Sequence, residues 1–254
     1  MLAALQRARV KEPDRVADAM YASLGRGLFE LLVSAALSRQ RLAEGVEFGA
    51  GTEVLAKLRE RGTGAVVATA HTGNWDLVAC AVARRAPLTV VTKHLRLGLV
   101  DRLWQWLRAR CGVRLVAAGR AAREGARALA RGELVAMLVD QAPERARAVL
   151  RVPFLGELAD VDLAPALVAL RARAPIVVAF PVRRSGRHAF ELVRVIEPPL
   201  RPTRLWAEQA MRQITADLEA FVRRHPEQWL WMHRRWKTTR APRPALPGGR
   251  VFAE

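Results

Sequence analysis

Six short apolar runs constrain this chain more than any other feature. They are AVVATA (65–70), LTVVTK (88–93), VRLVAA (113–118), LVAMLVD (134–140), IVVAFPV (176–182) and FELVRVI (190–196). Each has strand length and is rich in β-branched residues. Helical patterns fall at residues 74–85, 99–110, 120–131, 162–173 and 203–224, with Gly112 and Gly132 as stops and Pro165 in a first turn. Strands without a polar face are buried on both faces. The pattern therefore predicts an α/β fold with a mostly parallel central sheet and helices on both faces. The last strand follows the turn Ser185–Gly186 and is expected to run antiparallel.

Upstream, Val16, Met20, Leu24, Leu28, Leu31 and Leu32 recur at helical spacing. They predict an N-terminal amphipathic helix, either core-facing or lying on a bilayer. A second helix is expected from an N-cap at Thr52 to near Gly62. The chain thus divides into an N-terminal helical region open to membrane association (1–62), an α/β domain (63–240) and a flexible Pro/Gly-rich tail (241–254).

Composition excludes several classes. Two cysteines, Cys80 and Cys111, support neither a disulfide scaffold nor a Cys-rich zinc site, and fit a reducing compartment. The net charge is +18, and all but four of the 42 basic residues are Arg. Residues 1–60 carry only +1 of it. Such a surface attracts nucleic acid, anionic membrane or an acidic protein, and charge alone does not choose. No zinc, helix-turn-helix or RNA-binding motif supports nucleic acid. The longest nearly uncharged stretch, 62–83, contains His71, Asn74 and Asp76, and divides into strand, turn and helix. The chain reads as soluble or lying on a membrane, not spanning one.

In parallel sheets ligands sit beyond the carboxyl ends of the strands. That rule points to His71, Lys93 and Asp140. HTGNWD (71–76) is the most informative segment. Gly73 permits a tight turn, Asn74 can cap the next helix, and the turn can fold the Asp76 carboxylate back toward the His71 ring. A carboxylate on one ring nitrogen leaves the other as a base. The helix N-terminus offers N–H groups for an oxyanion. No Ser or Cys is near enough to act as nucleophile, so the natural role is general base on an external hydroxyl. A structural His capped by Asp is the alternative.

HTGNWDL, RLGLVDRLW…RCGVRLV (96–116), RGELVAMLVDQ (131–141), VPFLG (152–156), APIVVAFPVRR (174–184) and PEQWLWMHRRWK (226–237) occur in the order of one family. Over residues 20–240 the chain resembles the late lipid A biosynthesis acyltransferases of the lysophospholipid acyltransferase superfamily. HTGNWD matches the superfamily's His-x4-Asp signature.

The resemblance implies a glycerolipid-acyltransferase-like fold at the cytoplasmic face of the inner membrane. It implies transfer of a fatty acyl chain from acyl carrier protein to a hydroxyl of a lipid A precursor. His71 would be the base and Asp76 would orient it. Asn74, Lys93, Arg96, Asp140 and Arg235 would bind substrate or shape the site. An anionic lipid acceptor and peripheral membrane association follow, with no cofactor and no covalent acyl-enzyme. Trp229, Trp231 and Trp236 beside Arg234, Arg235 and Lys237 suit a membrane interface, or a Trp core with Arg outside. Arg120, Arg123, Arg127 and Arg131 share a helix face and could dock the acidic carrier. Departures cluster in acceptor-facing blocks: Thr92-Lys93, Leu97, Leu155 and Val161 stand where the family usually has other residues. They leave open another glycolipid, a lysophospholipid or a lipid-like metabolite as acceptor, coenzyme A as donor, or a lipid-binding protein without catalysis.

Overall fold

A computed structural model describes residues 1–34, 44–92, 98–143 and 148–237. In chain order the elements are α1 (Leu2–Arg7), α2 (Pro13–Ser34), β1 (Val46–Glu47), α3 (Ala50–Glu60), β2 (Ala65–Thr69), α4 (Trp75–Ala83), β3 (Leu88–Thr92), α5 (Gly98–Arg110), β4 (Val113–Ala117), α6 (Ala121–Ala130), β5 (Leu134–Leu138), β6 (Val149–Phe154), β7 (Glu157–Asp162), α7 (Ala164–Ala172), β8 (Ile176–Arg184), β9 (Arg187–Ile196) and α8 (Arg204–Arg224). Seven strands form one sheet in the order β1-β9-β8-β2-β5-β3-β4. Every pairing in it is parallel except β8 with β9. The expected fold class and the antiparallel last strand are both observed.

Alternation along the central strand shows why the sheet is covered twice. In β2, Val66 and Ala68 pack with Ala128 of α6, Ala169 of α7 and Ile214 of α8. Ala65 and Val67 pack on the other face with Leu58 of α3, Val78 of α4 and Leu107 of α5. Successive side chains on a strand point to opposite faces, so two apolar layers require two sets of helices.

Leu5, Ala17 and Met20 from α1 and α2 enter the first of these layers, and Leu31 the second. The other side of α2 leaves Tyr21, Leu28, Phe29, Leu32 and Val33 exposed. Among the described residues no helix is long and apolar enough to cross a membrane.

Two local features differ from expectation. Helix α3 begins at Ala50 with Gly49 at its N-cap, so Thr52 is inside the first turn and donates its N–H to Gly49. Gly49 adopts φ 46, the sharp entry that Thr could adopt only with strain. The hairpin β6–β7 was not foreseen. It turns on Leu155 and Gly156, both with positive φ, the requirement of a tight two-residue hairpin turn. Part of the N-terminal helical pattern (35–43) and the expected tail (241–254) lie outside the described residues.

Candidate active site

The sheet register builds the center of the site. β2 and β5 pair in parallel with Thr69 opposite Leu138. The Val139 N–H extends the ladder to the Thr69 carbonyl at 2.9 Å. One residue further, His71 and Asp140 stand side by side. The ring Nδ1 lies 3.0 and 3.1 Å from the two Asp140 oxygens, and the His71 backbone N–H donates to Oδ2 at 3.2 Å. The Trp229 indole N–H donates to the same Oδ2 at 3.1 Å.

This environment sets the protonation of both partners. Burial alone would raise the Asp140 pKa, but the His71 charge and these donors bring it down to about 2. Burial also opposes the imidazolium, yet the charge and hydrogen bond of Asp140 outweigh it and hold His71 above its ordinary value. With Nδ1 engaged, Nε2 is the ring nitrogen left for a ligand. The side chain is 15% exposed and lines the neighboring cavity.

Asp76 does not take the expected place on the ring. Its Oδ1 receives Nε of Arg108 at 2.6 Å, and Arg108 Nη1 reaches Thr92 at 3.3 Å. Asp76 sits in the first turn of α4, where its side chain meets the inner face of α5. It acts on His71 through space, adding a smaller pull than Asp140, while Arg108 works in the opposite sense. Sequence proximity had favored Asp76. The closer carboxylate comes from 69 residues downstream.

The turn between them is tightly held. Gly73 has φ 51, and an added Cβ would lie 2.8 Å from the Pro181 carbonyl oxygen. Gly73→Ala should therefore destabilize the protein by more than the roughly 1–2 kcal/mol of a left-handed backbone. Thermal unfolding would measure it, and an unchanged midpoint would contradict the close approach. Asn74 caps α4 as expected, accepting from the Leu77 N–H at 3.1 Å. Its amide N–H2 anchors α2, reaching the Gly27 carbonyl at 3.2 Å and Glu30 at 2.9 Å. Asn74 is buried by this role; it lines a small pocket beside α2 and not the main cavity.

That cavity, about 540 Å³, opens beyond the strand ends. His71, Trp75 and Arg108 line it, with Asp101, Trp104 and Gln105 from α5, Gln141 after β5 and Asp162 at the end of β7. Ala118, Gly119 and Ala121 also contribute, and the exposed Arg120 lies between them in sequence. A smaller apolar pocket, about 60 Å³, lies between the sheet and α4 and shares Trp75, Thr92, Arg108 and Leu138 with it. Lys93 and Arg96 lie outside the described residues.

The model of the bacterial lipid A biosynthesis acyltransferase family matches residues 5–238. The chain belongs to this family. It is thus an enzyme that transfers acyl groups. A search of the curated proteins found no match.

In this acyltransferase residues 226–236 form a strap behind the turn 71–76. The Leu230 N–H donates to the His71 carbonyl at 3.0 Å, and the Gly73 N–H to that of Gln228 at 2.9 Å. Trp229 and Trp231 are buried, and Trp231 donates to the Pro226 carbonyl at 2.7 Å. Arg235 is also buried, which neither sequence reading anticipated. It donates to the Asp160 carbonyl at 2.5 Å and stacks 5.2 Å above the Phe154 ring. Burial lowers its pKa to about 10, against the pull of Asp140 and Asp160. It is not among the residues lining the main cavity. Sequence reasoning missed Arg108 and Trp229 as site residues. The i,i+4 pair Trp104–Arg108 was a visible signal for the first.

Proposed function

We propose that the chain moves a fatty acyl group from acyl carrier protein to a hydroxyl of a lipid A precursor, with His71 as general base. The observation that carries the reading is a histidine held through Nδ1 by a buried carboxylate in a cavity whose described lining holds neither Ser nor Cys. A base without a partner nucleophile acts on a hydroxyl brought by the substrate.

Neutral His71 carries its proton on Nδ1, toward Asp140, and Nε2 accepts the proton of the acceptor hydroxyl. The oxygen attacks the thioester carbonyl. Arg108, the cation among the described lining residues, stabilizes the tetrahedral oxyanion. The C–S bond breaks, and the leaving thiolate takes the proton back from the imidazolium. Asp140 fixes the tautomer and balances the transient charge. Asp76 holds Arg108 in place and adds a second negative charge nearby. Lys93 and Arg96 bind anionic groups of the acceptor.

Peripheral association with the cytoplasmic face of the inner membrane belongs to the same proposal. The exposed apolar residues of α2, together with Leu99, Leu103 and Trp106 on α5, support it. The Trp106 ring carries the Arg110 guanidinium 5.1 Å from its centroid, a pairing suited to a lipid interface.

The test is product mass spectrometry after incubation with long-chain acyl carrier protein and a lipid A precursor. The expected product is the precursor plus one acyl group. Thiol release without acylated precursor would overturn the acceptor. No release from acyl carrier protein or coenzyme A donors would overturn the donor assignment and the mechanism.

A further inference from the structure

Glu30 is the one charged residue in the apolar run LFELLV (28–33) of α2. Its neighbors Phe29 and Leu32 are exposed, while its own carboxylate is partly buried among three side chains. Arg183 of β8 grips both oxygens, Nη1 donating to Oε1 at 2.6 Å and Nη2 to Oε2 at 2.7 Å. Nε2 of His188 on β9 lies 3.1 Å from Oε2. The Asn74 amide donates to the same oxygen at 2.9 Å. Burial works against the charge, yet the hydrogen bonds of Arg183 and Asn74 outweigh it and lower the Glu30 pKa. Arg183 is fixed in turn through its backbone. Its N–H donates to Gln228 Oε1 at 2.7 Å, and its carbonyl accepts from Gln228 Nε2 at 2.9 Å. The Gln228 carbonyl accepts the Gly73 N–H. Glu30 thus reaches the turn 71–76 at two consecutive residues, directly at Asn74 and through Arg183 and Gln228 at Gly73.

We propose that Glu30 is a positioning residue for acyl transfer. It holds the Asn74 amide, and so sets the turn that carries His71 and the start of the helix that carries Asp76. The inference rests on the reading of His71 as general base and adds what fixes that base from the side of α2. Asn74 is the contact through which Glu30 acts. The oxygen of its amide caps α4 at Leu77, and the nitrogen is held by Glu30. Without the carboxylate that nitrogen is left with the Gly27 carbonyl at 3.2 Å, and the turn gains freedom. Proton transfer and attack depend on such placement: a displacement of about 1 Å costs about 10²-fold in rate.

The experiment measures kcat and both KM values, with long-chain acyl carrier protein and a lipid A precursor, in wild type, Glu30→Gln, Asn74→Ser and the double variant. Glu30→Gln turns one acceptor oxygen into an N–H2 that faces donors. Asn74→Ser keeps a capping oxygen on α4 and removes the amide donor. Each single variant should lower kcat about tenfold and leave both KM values nearly unchanged. The double variant should lose little more than either single one, because both break the same link. Asp217→Asn is the control. It breaks the two 2.6 Å contacts with Arg194 that join α8 to β9, so it should lower the thermal midpoint without lowering kcat. Additive losses in the double variant, an equal fall in kcat for Asp217→Asn, or a raised KM at unchanged kcat overturns the proposal. So does normal turnover in Glu30→Gln while His71→Ala is inactive, a result that leaves the base in place. Normal turnover in His71→Ala removes the base and this inference with it.

Discussion

Replacing Asp140 by Asn lowers kcat/KM for acyl transfer by about 10³–10⁴, the scale of the same change behind a catalytic histidine in serine proteases. The geometry gives the reason. Asp140 touches Nδ1 through both oxygens and is the strongest force raising the His71 pKa. An amide there can present N–H to Nδ1, shift the ring proton to Nε2 and remove the base. The pH profile should move as well. Transfer needs neutral His71, so the rate rises with pH and levels off above its pKa. In wild type that midpoint lies above the ordinary histidine value. In Asp140→Asn the counter-charge is gone while burial remains, so any residual limb moves to lower pH. Asp76→Asn should cost less, about 10²-fold through a displaced Arg108. Steady-state rates of the two variants, measured side by side across pH, check the order. A larger loss for Asp76→Asn would restore Asp76 as the orienting carboxylate.

His71→Ala has the other large effect. Removing the base costs about 10²–10⁴ from the proton-transfer step alone. The variant should still fold, because the Trp229 indole continues to serve Asp140. Leaving that buried carboxylate without its main counter-charge costs about 3–5 kcal/mol. Thiol release from acyl carrier protein, with circular dichroism as control, measures both. A folded variant with normal turnover would remove His71 from the mechanism.

Much of the fold was legible locally. The six apolar runs became strands of the main sheet, and HTGNWD became a strand-to-helix turn with Asn74 at the cap, because β-branched runs, glycine turns and caps act over a few residues. What failed was long-range. β5 is adjacent to β2 although β3 and β4 intervene in the chain, and that order is a tertiary choice. It alone brings Asp140 to His71. Asp140 had been marked by its place at a strand end, but its partner could not be read from spacing. Arg235 was misplaced for a related reason. A charged residue between tryptophans reads as surface, and here the Asp160 carbonyl and the Phe154 ring allow it to be buried. The β6–β7 hairpin escaped because its turn uses Leu155, a residue that rarely adopts positive φ.

The most direct measurement is an NMR titration of the His71 imidazole in wild type and in Asp140→Asn. The account predicts a wild-type pKa above that of an ordinary histidine, falling below it in the variant because burial and the Arg108 charge then outweigh the remaining pull of Asp76. An ordinary wild-type value, or a raised one that persists in Asp140→Asn, would contradict the pairing on which the mechanism depends.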